Sequence, residues 1–190
     1  MKNKDYSEYK DIIRNRMGDK RYNHSLNVAE SAVMLAKKYG ADKEKAYLAG
    51  LLHDICKETS ENEQLKIMSD FDIIMSTVEK SAFKLWHAMS GAAYVKNILK
   101  IDDEDIINAI RYHTTARAGM SLLEKVIYLA DFISADRSYD GVDELRAAAE
   151  NSIEKAMDIA LTFSIVELIG QGKAIHPDTL FAYNELVMNH

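Results

Sequence analysis

The sequence has few of the residues that cross-link or interrupt a fold. Its 190 residues include one cysteine, one proline and eight glycines. A single cysteine excludes a disulfide framework and a cysteine-built zinc site, so we expect Cys56 to be a buried apolar residue. The shortage of proline and glycine favours long helices over a fold of short strands and turns.

The chain also lacks an excess of positive charge and any long apolar run. It carries 24 Lys and Arg against 30 Asp and Glu, a formal charge of −6, which argues against general binding to nucleic acid. No apolar run approaches the roughly 18 residues of a membrane helix, and the charged start has no signal-peptide core. We therefore expect a cytoplasmic protein that binds neither nucleic acid nor a membrane; self-association into a homodimer stays open.

Apolar residues recur at three- and four-residue steps along most of the chain, which predicts successive helices. One helix runs from about residue 20 to a C-cap at Gly40, and the next opens at Asp42 and continues through Ile55. Further helices are expected near 79–100, 103–113, 121–135 and 143–169, with a last one after Pro177. No useful strand pattern or linker is present, so we predict one all-α domain over residues 1–190. Its core lies at about 20–135 and its C-terminal helices at about 143–190, of which the part after Gly170-Gln171-Gly172 is a short helical tail.

Three serines at expected helix starts precede a glutamate by three residues, as in a capping box. They are Ser60, Ser76 and Ser121. Asp131 comes ten residues after the last of these and therefore lies well inside a helix, among apolar neighbours. Burying an isolated carboxylate costs several kcal/mol, so Asp131 needs paired cations or a metal.

Four of the six histidines also lie in apolar segments and should face inward. They are His24, His53, His87 and His113, and Asp54 directly follows His53. Any one of them could be a core histidine bonded to a backbone carbonyl. A divalent metal or metal pair would satisfy all of them together with Asp131, and imidazole with carboxylate but no thiolate suits Fe, Mn or Zn. Neighbours on a helix point about 100° apart, so His53 and Asp54 could share an ion only between their directions.

The order His24, His53-Asp54, Asp131 resembles the HD superfamily of metal-dependent phosphohydrolases, and His87 and His113 fit its branch with two metals. The chain is more similar still to the YqeK family of symmetrical bis-nucleosyl tetraphosphatases. The similar segments are 21–25, 50–57, 113–115, 120–125, 128–133, 141–146 and 175–179. One departure is Ala116-Arg117-Ala118-Gly119, where a glycine is expected earlier.

The resemblance implies an HD-domain helical bundle whose metal ligands are His24, His53, Asp54 and Asp131. Iron is the expected ion, with Mn and Zn as alternatives. Asp54, His87 and His113 would hold a second metal, or the two histidines would bind phosphate directly across a single metal. One or two ions per chain are thus open.

The implied reaction is hydrolysis of diadenosine tetraphosphate, a small nucleotide, into two ADP by metal-activated water. The catalytic set would be Asp54, His87, His113 and Lys57. The substrate-binding set would be Arg21, Lys57, His87, His113, Thr114, Arg137 and His176. His176 could instead cap the helix after it, and Thr114 the helix before it. Two alternative functions stay open: hydrolysis of a nucleoside monophosphate, triphosphate or guanosine alarmone, and a nucleotide-binding regulatory HD module.

Overall fold

Every regular element of the computed structural model is a helix within residues 5–188, which are the residues the structure describes. The all-α prediction is confirmed, and His190 lies outside the described residues. Within that range, no helix combines the length and apolar character needed to cross a membrane. The helices are α1 (Ser7–Arg16), α2 (Asp19–Tyr39), α3 (Lys43–Leu52), α4 (Glu61–Asp70), α5 (Thr77–Ser81), a 3₁₀-helix (Phe83–Leu85), α6 (Trp86–Asn97), α7 (Glu104–Tyr112), α8 (Leu122–Ile133), α9 (Val142–Ala149), α10 (Ile153–Gly170) and α11 (Pro177–Met188).

The predicted C-cap of α2 and N-cap of α3 are confirmed. Gly40 ends α2 in the left-handed conformation, with φ of 84°, which glycine adopts without a steric penalty. Asp42 begins α3, and its carboxylate accepts hydrogen bonds from the N–H groups of Glu44 and Lys45. These two caps fold α2 and α3 into an antiparallel pair.

Two of the three predicted capping boxes are complete. Ser76 and Ser121 each exchange hydrogen bonds with the glutamate three residues later. Ser60 accepts a bond from the N–H of Glu63. The Glu63 side chain does not return that bond, because it pairs with Arg16 at 3.1 Å.

Two long helices of the prediction are divided. The helix expected near 79–100 breaks after α5, where the indole N–H of Trp86 donates a hydrogen bond to the carbonyl of Glu79 at 2.6 Å. The helix expected near 143–169 breaks into α9 and α10 at Ser152, which is extended and caps α10 through its hydroxyl. Helix α1 has no counterpart in the prediction.

Helices α2, α3 and α8 pack against one another and form the centre of the molecule. At Gly50 the α2 and α3 backbones touch, since a Cβ there would lie 2.8 Å from the Cα of Ala29. This contact brings the start of α2 beside the end of α3, where His24 and His53 lie with ring centroids 5.4 Å apart. Cys56, just beyond, is buried as expected.

Candidate metal centre

Four histidines and two aspartates meet at the ends or inner faces of five helices. Their elements are α2 for His24, the turn after α3 for His53 and Asp54, α6 for His87, the end of α7 for His113, and α8 for Asp131. Five of the six are buried, and 19% of the Asp131 side chain is exposed. Residues separated by up to 107 positions therefore share one pocket.

The first half of this cluster surrounds Asp131. Its Oδ1 lies 2.9 Å from Nε2 of His24 and 3.9 Å from Nε2 of His53. The three donor atoms lie within 4.8 Å of one another, close enough to bind one metal ion. Asp54 joins this half through Oδ2, which is 3.3 Å from Nε2 of His53.

The second half of the cluster surrounds the other oxygen of Asp54. Oδ1 lies 3.1 Å from Nε2 of His87 and 3.6 Å from Nε2 of His113. These two nitrogens are 3.1 Å apart. His53, Asp54 and His113 form a second group whose donor atoms lie within 4.8 Å of one another. Asp54 is thus placed between the two halves, with one oxygen facing each.

The turn after α3 explains how adjacent residues converge. The helix ends at Leu52 rather than Ile55 because the imidazole Nδ1 of His53 bonds to the carbonyl of Gly50 at 2.7 Å. The following chain tightens into three-residue turns, including Lys57 N–H to the Asp54 carbonyl at 2.8 Å. His53 keeps helical backbone angles, with φ of −55° and ψ of −38°, and its Nε2 still lies 3.3 Å from Oδ2 of Asp54. Only the tips of the two adjacent side chains therefore meet, in the space between their directions.

Three of the four histidines are fixed through their outer nitrogen. Nδ1 of His113 bonds to the carbonyl of Ile110 at 2.7 Å, the same three-residue step as in His53. Nδ1 of His24 lies 2.8 Å from a carboxylate oxygen of Asp136. Because a carbonyl only accepts, Nδ1 of His53 and of His113 carries a proton, so each ring in its neutral form presents the lone pair of Nε2 to the pocket.

The donor set fits a divalent metal. Among the described residues, the buried Nε2 of His53 has no hydrogen-bond partner, and its lone pair faces a carboxylate oxygen of Asp54. Two acceptors so close repel each other unless positive charge lies between them. Imidazole nitrogen with carboxylate oxygen, and no thiolate, is the chemistry of Fe, Mn and Zn sites.

The electrostatics of the pocket keep its carboxylates charged. Burial alone would raise the pKa of Asp54, but the imidazoles of His53, His113 and His87 outweigh it and hold that pKa well below its usual range. Burial would also raise the pKa of Asp131, but His24, His53 and Arg137 together outweigh it and hold that pKa low. Burial lowers the pKa of His87 to about 4, so this imidazole is neutral at neutral pH.

Three predicted cations lie beside the cluster. Arg21 donates to Oδ2 of Asp54 at 2.7 Å. Arg137 donates to the backbone carbonyl of Asp131 at 2.7 Å and pairs with its carboxylate. The ammonium of Lys57 lies 3.3 Å from Nε2 of His87, and burial lowers its pKa. The structure therefore gathers the positive charge that an anionic substrate needs next to the candidate ligands.

Thr114 and His176 each carry a buried polar atom without a partner among the described residues. Nδ1 of His176 accepts from the N–H of Asp178 at 3.2 Å, so it supports the start of α11 and leaves the proton on Nε2. That Nε2 lies 3.5 Å from Oε1 of Glu79. No hydrogen bond of the described residues joins His176 to the six cluster residues.

Asp136 contacts His24 but was not among the site residues selected from the sequence. It lies five residues after Asp131 in Ile-Ser-Ala-Asp-Arg, a position outside any helix, where apolar periodicity says nothing of its direction.

The loop after His113 also departs from expectation. Ala116 takes the left-handed conformation there, with φ of 55°, at a cost of about 1–2 kcal/mol that glycine would avoid.

A comparison with family models matches residues 21–136 to the HD domain. The chain belongs to the HD domain family. This HD protein is 40% identical to the symmetrical bis(5'-nucleosyl)-tetraphosphatase of Halalkalibacterium halodurans, over 93% of this chain and 94% of that one. It is 38% identical to the protein of the same name in Bacillus subtilis, over 92% and 94%. The resemblance seen in the sequence is confirmed.

A solved HD superfamily hydrolase from Clostridium acetobutylicum, described as involved in NAD metabolism, matches the whole fold. The TM-score is 0.94 and the identity 39%, covering 98% of this chain and 99% of that one. The fold is thus that of an HD hydrolase, and the cluster described above falls inside the matched HD domain.

Proposed function

We propose that this HD protein hydrolyses diadenosine tetraphosphate and related dinucleoside tetraphosphates symmetrically, releasing two nucleoside diphosphates. The observation that carries the proposal is the pocket in which two charged carboxylates face the unpartnered Nε2 of His53. The names of the Halalkalibacterium and Bacillus relatives supply the substrate class. The cytoplasm, where such nucleotides occur, is the proposed location.

His24, His53, Asp54 and Asp131 would hold the first metal, for which we propose iron, with Mn and Zn as alternatives. A divalent metal in such a site lowers the pKa of water toward neutrality and supplies positive charge to a phosphate chain. His87 and His113 face Oδ1 of Asp54. They would either hold a second ion with it or bind a phosphate oxygen directly.

The chain's own residues account for substrate binding. Guanidinium groups suit bidentate contact with phosphate, whereas a lysine acts as a point charge. Arg21 and Arg137 each lie against one of the two carboxylates, Asp54 and Asp131. Lys57, next to His87, places a third charge at the other half of the cluster. Together they offset the negative charge of a tetraphosphate within an acidic protein.

The partly buried hydroxyl of Thr114 and the Nε2–H of His176 would complete the substrate contacts. Neither atom has a hydrogen-bond partner in the described part of the chain, although Nε2 of His176 lies 3.5 Å from Oε1 of Glu79. The Nε2–H of His176 is a donor, because its Nδ1 accepts from the backbone. A donor held directly before α11 would contact the nucleotide from the C-terminal part of the chain.

Product analysis tests the proposal directly. The protein is loaded with Fe, Mn or Zn in parallel and incubated with diadenosine tetraphosphate in oxygen-18 water. The nucleotides are then separated and their masses are measured by mass spectrometry. We expect ADP alone, with the label in one of the two ADP molecules. ATP with AMP would contradict symmetric cleavage, and no hydrolysis with any of the three metals would contradict the enzyme assignment.

The name of the Clostridium structure supports a second candidate, hydrolysis of a nucleotide of NAD metabolism. Relative kcat/KM values across a panel distinguish the two. The panel includes diadenosine tetraphosphate, NAD, a nucleoside monophosphate, a triphosphate and a guanosine alarmone. Tight binding without turnover by the fully metal-loaded protein would instead indicate a regulatory nucleotide-binding module.

A further inference from the structure

We propose that Asp136 is a positioning residue of the metal centre, which orients the imidazole of His24 and holds its tautomer. The inference rests on the metal centre of the proposed function. It adds a residue that the sequence interpretation and the resemblance both leave out.

The imidazole of His24 spans two carboxylates. Its Nε2 faces Oδ1 of Asp131 inside the pocket at 2.9 Å, and its Nδ1 faces Oδ2 of Asp136 outside it at 2.8 Å. When Nδ1 donates its proton to Asp136, Nε2 keeps the lone pair that a metal requires. A carboxylate behind a ligating histidine also raises the basicity of the ligand and fixes the plane of its ring.

A second contact keeps Asp136 in this orientation. Its other oxygen, Oδ1, accepts from the side-chain amide of Asn27 at 3.1 Å. Asn27 lies three residues after His24, on the same face of α2. One helix thus supplies both the ligand and the residue that aims the carboxylate at it.

The loop that carries Asp136 is tied down on both sides. The guanidinium of Arg146, from α9, donates to the carbonyls of Ile133 at 3.1 Å, Ser134 at 3.0 Å and Arg137 at 2.9 Å. Arg137 in turn donates to the carbonyl of Asp131. Asp136 lies between these anchored residues, so its place is set by the loop as well as by His24.

The experiment compares metal affinity in four proteins. They are the wild type, Asp136→Ala, Asp136→Asn and the control Asp140→Ala, which removes an exposed carboxylate from the same loop. Each is stripped of metal and titrated with Zn²⁺ and with Mn²⁺ against a competing chelator. We expect Asp136→Ala to bind about 10- to 100-fold more weakly than the wild type. Asp136→Asn should lie between them, since its amide oxygen still accepts the Nδ1 proton, and Asp140→Ala should match the wild type.

A second readout separates positioning from a structural role. Nitrogen-15 NMR of histidine-labelled, zinc-loaded protein reports which ring nitrogen of His24 carries the proton. We expect Nδ1–H in the wild type and in Asp136→Asn, with an altered signal in Asp136→Ala. A lower metal-free Tm in Asp136→Ala with unchanged metal affinity would overturn the proposal. If the alanine variant fails to fold, the isosteric asparagine variant decides by the same titration. A wild type that binds neither metal would instead contradict the proposed function.

Discussion

Glu124 and Asp54 are both buried acidic residues, but their surroundings differ. Glu124 is 1% exposed, and both of its oxygens are occupied by Arg117, at 2.6 and 2.9 Å. One oxygen also accepts from the N–H of Ser121 at 2.7 Å. Every acceptor of this group therefore has a donor, and the group stabilises the start of α8.

The cluster around Asp54 has acceptors that face one another. Nε2 of His53 lacks a hydrogen-bond partner within the described residues and lies 3.3 Å from a carboxylate oxygen. Nε2 of His87 and Nε2 of His113 lie 3.1 Å apart, so one proton between them can form a hydrogen bond, but Nε2 of His53 has no such neighbour in the described part of the chain. Buried charge alone thus does not distinguish a functional site from a structural one. The buried, unpartnered Nε2 of His53 beside a carboxylate oxygen does, because a cation is the natural complement of the two atoms.

The largest effect is expected for Asp54→Ala. The substitution removes the residue that faces both halves of the cluster, so metal retention and hydrolysis should fall by more than the roughly 100-fold typical of losing a residue behind a ligand. Helix content should be almost unchanged. Metal analysis, product formation and circular dichroism measure the three quantities. Ordinary activity in this variant would refute the role of Asp54 as a ligand.

The matched change in the other group is Glu124→Ala, which should act on stability instead. It leaves the partly exposed Arg117 unpaired and removes a capping box, so the free energy of unfolding should fall by about 2 kcal/mol. The metal-loaded variant should keep the wild-type kcat/KM below its Tm. Denaturant unfolding and steady-state kinetics test both statements.

Added metal should separate the two variants further. A ligand at 100 times its Kd stabilises the folded state by about 2.7 kcal/mol. The Tm of Glu124→Ala should therefore rise with Mn²⁺ as in the wild type, and that of Asp54→Ala should not. An equal rise in Tm for both variants would mean that the metal binds away from Asp54 and would contradict the distinction drawn between Asp54 and Glu124.

The smallest effect is expected for His176→Ala. It removes the unpartnered Nε2–H donor, so kcat/KM should fall about tenfold, a loss of about 1.4 kcal/mol, while metal content stays the same. Unchanged kinetics with a lower Tm would leave His176 as the residue that supports the start of α11 through Asp178.

The sequence predicted the fold class because apolar periodicity and helix caps are local signals. Gly40, Asp42, Ser76 and Ser121 all lie at the predicted helix ends. The breaks after α5 and before α10 were not predicted. The first depends on the bond from the Trp86 indole to the Glu79 carbonyl, which only the folded chain brings together.

The structure brings together the six residues that the sequence grouped, because apolar flanks indicate that a polar side chain faces inward. Their roles as ligands remain proposals. The early end of α3 could not be predicted from apolar periodicity, since the carbonyl of Gly50 bonds to the imidazole of His53 only in the folded chain. Asp136 was missed because nothing in a loop sequence shows which way its side chain points.

The central claim is that the cluster holds a divalent metal. Metal analysis of protein purified without chelator tests it most directly, with Asp54→Ala as the control. We predict at least about one Fe, Mn or Zn ion per chain in the wild type and none in the variant; about two ions would favour a second site at His87 and His113. A wild-type chain that is folded yet retains no divalent metal, and binds none on titration, would contradict the account.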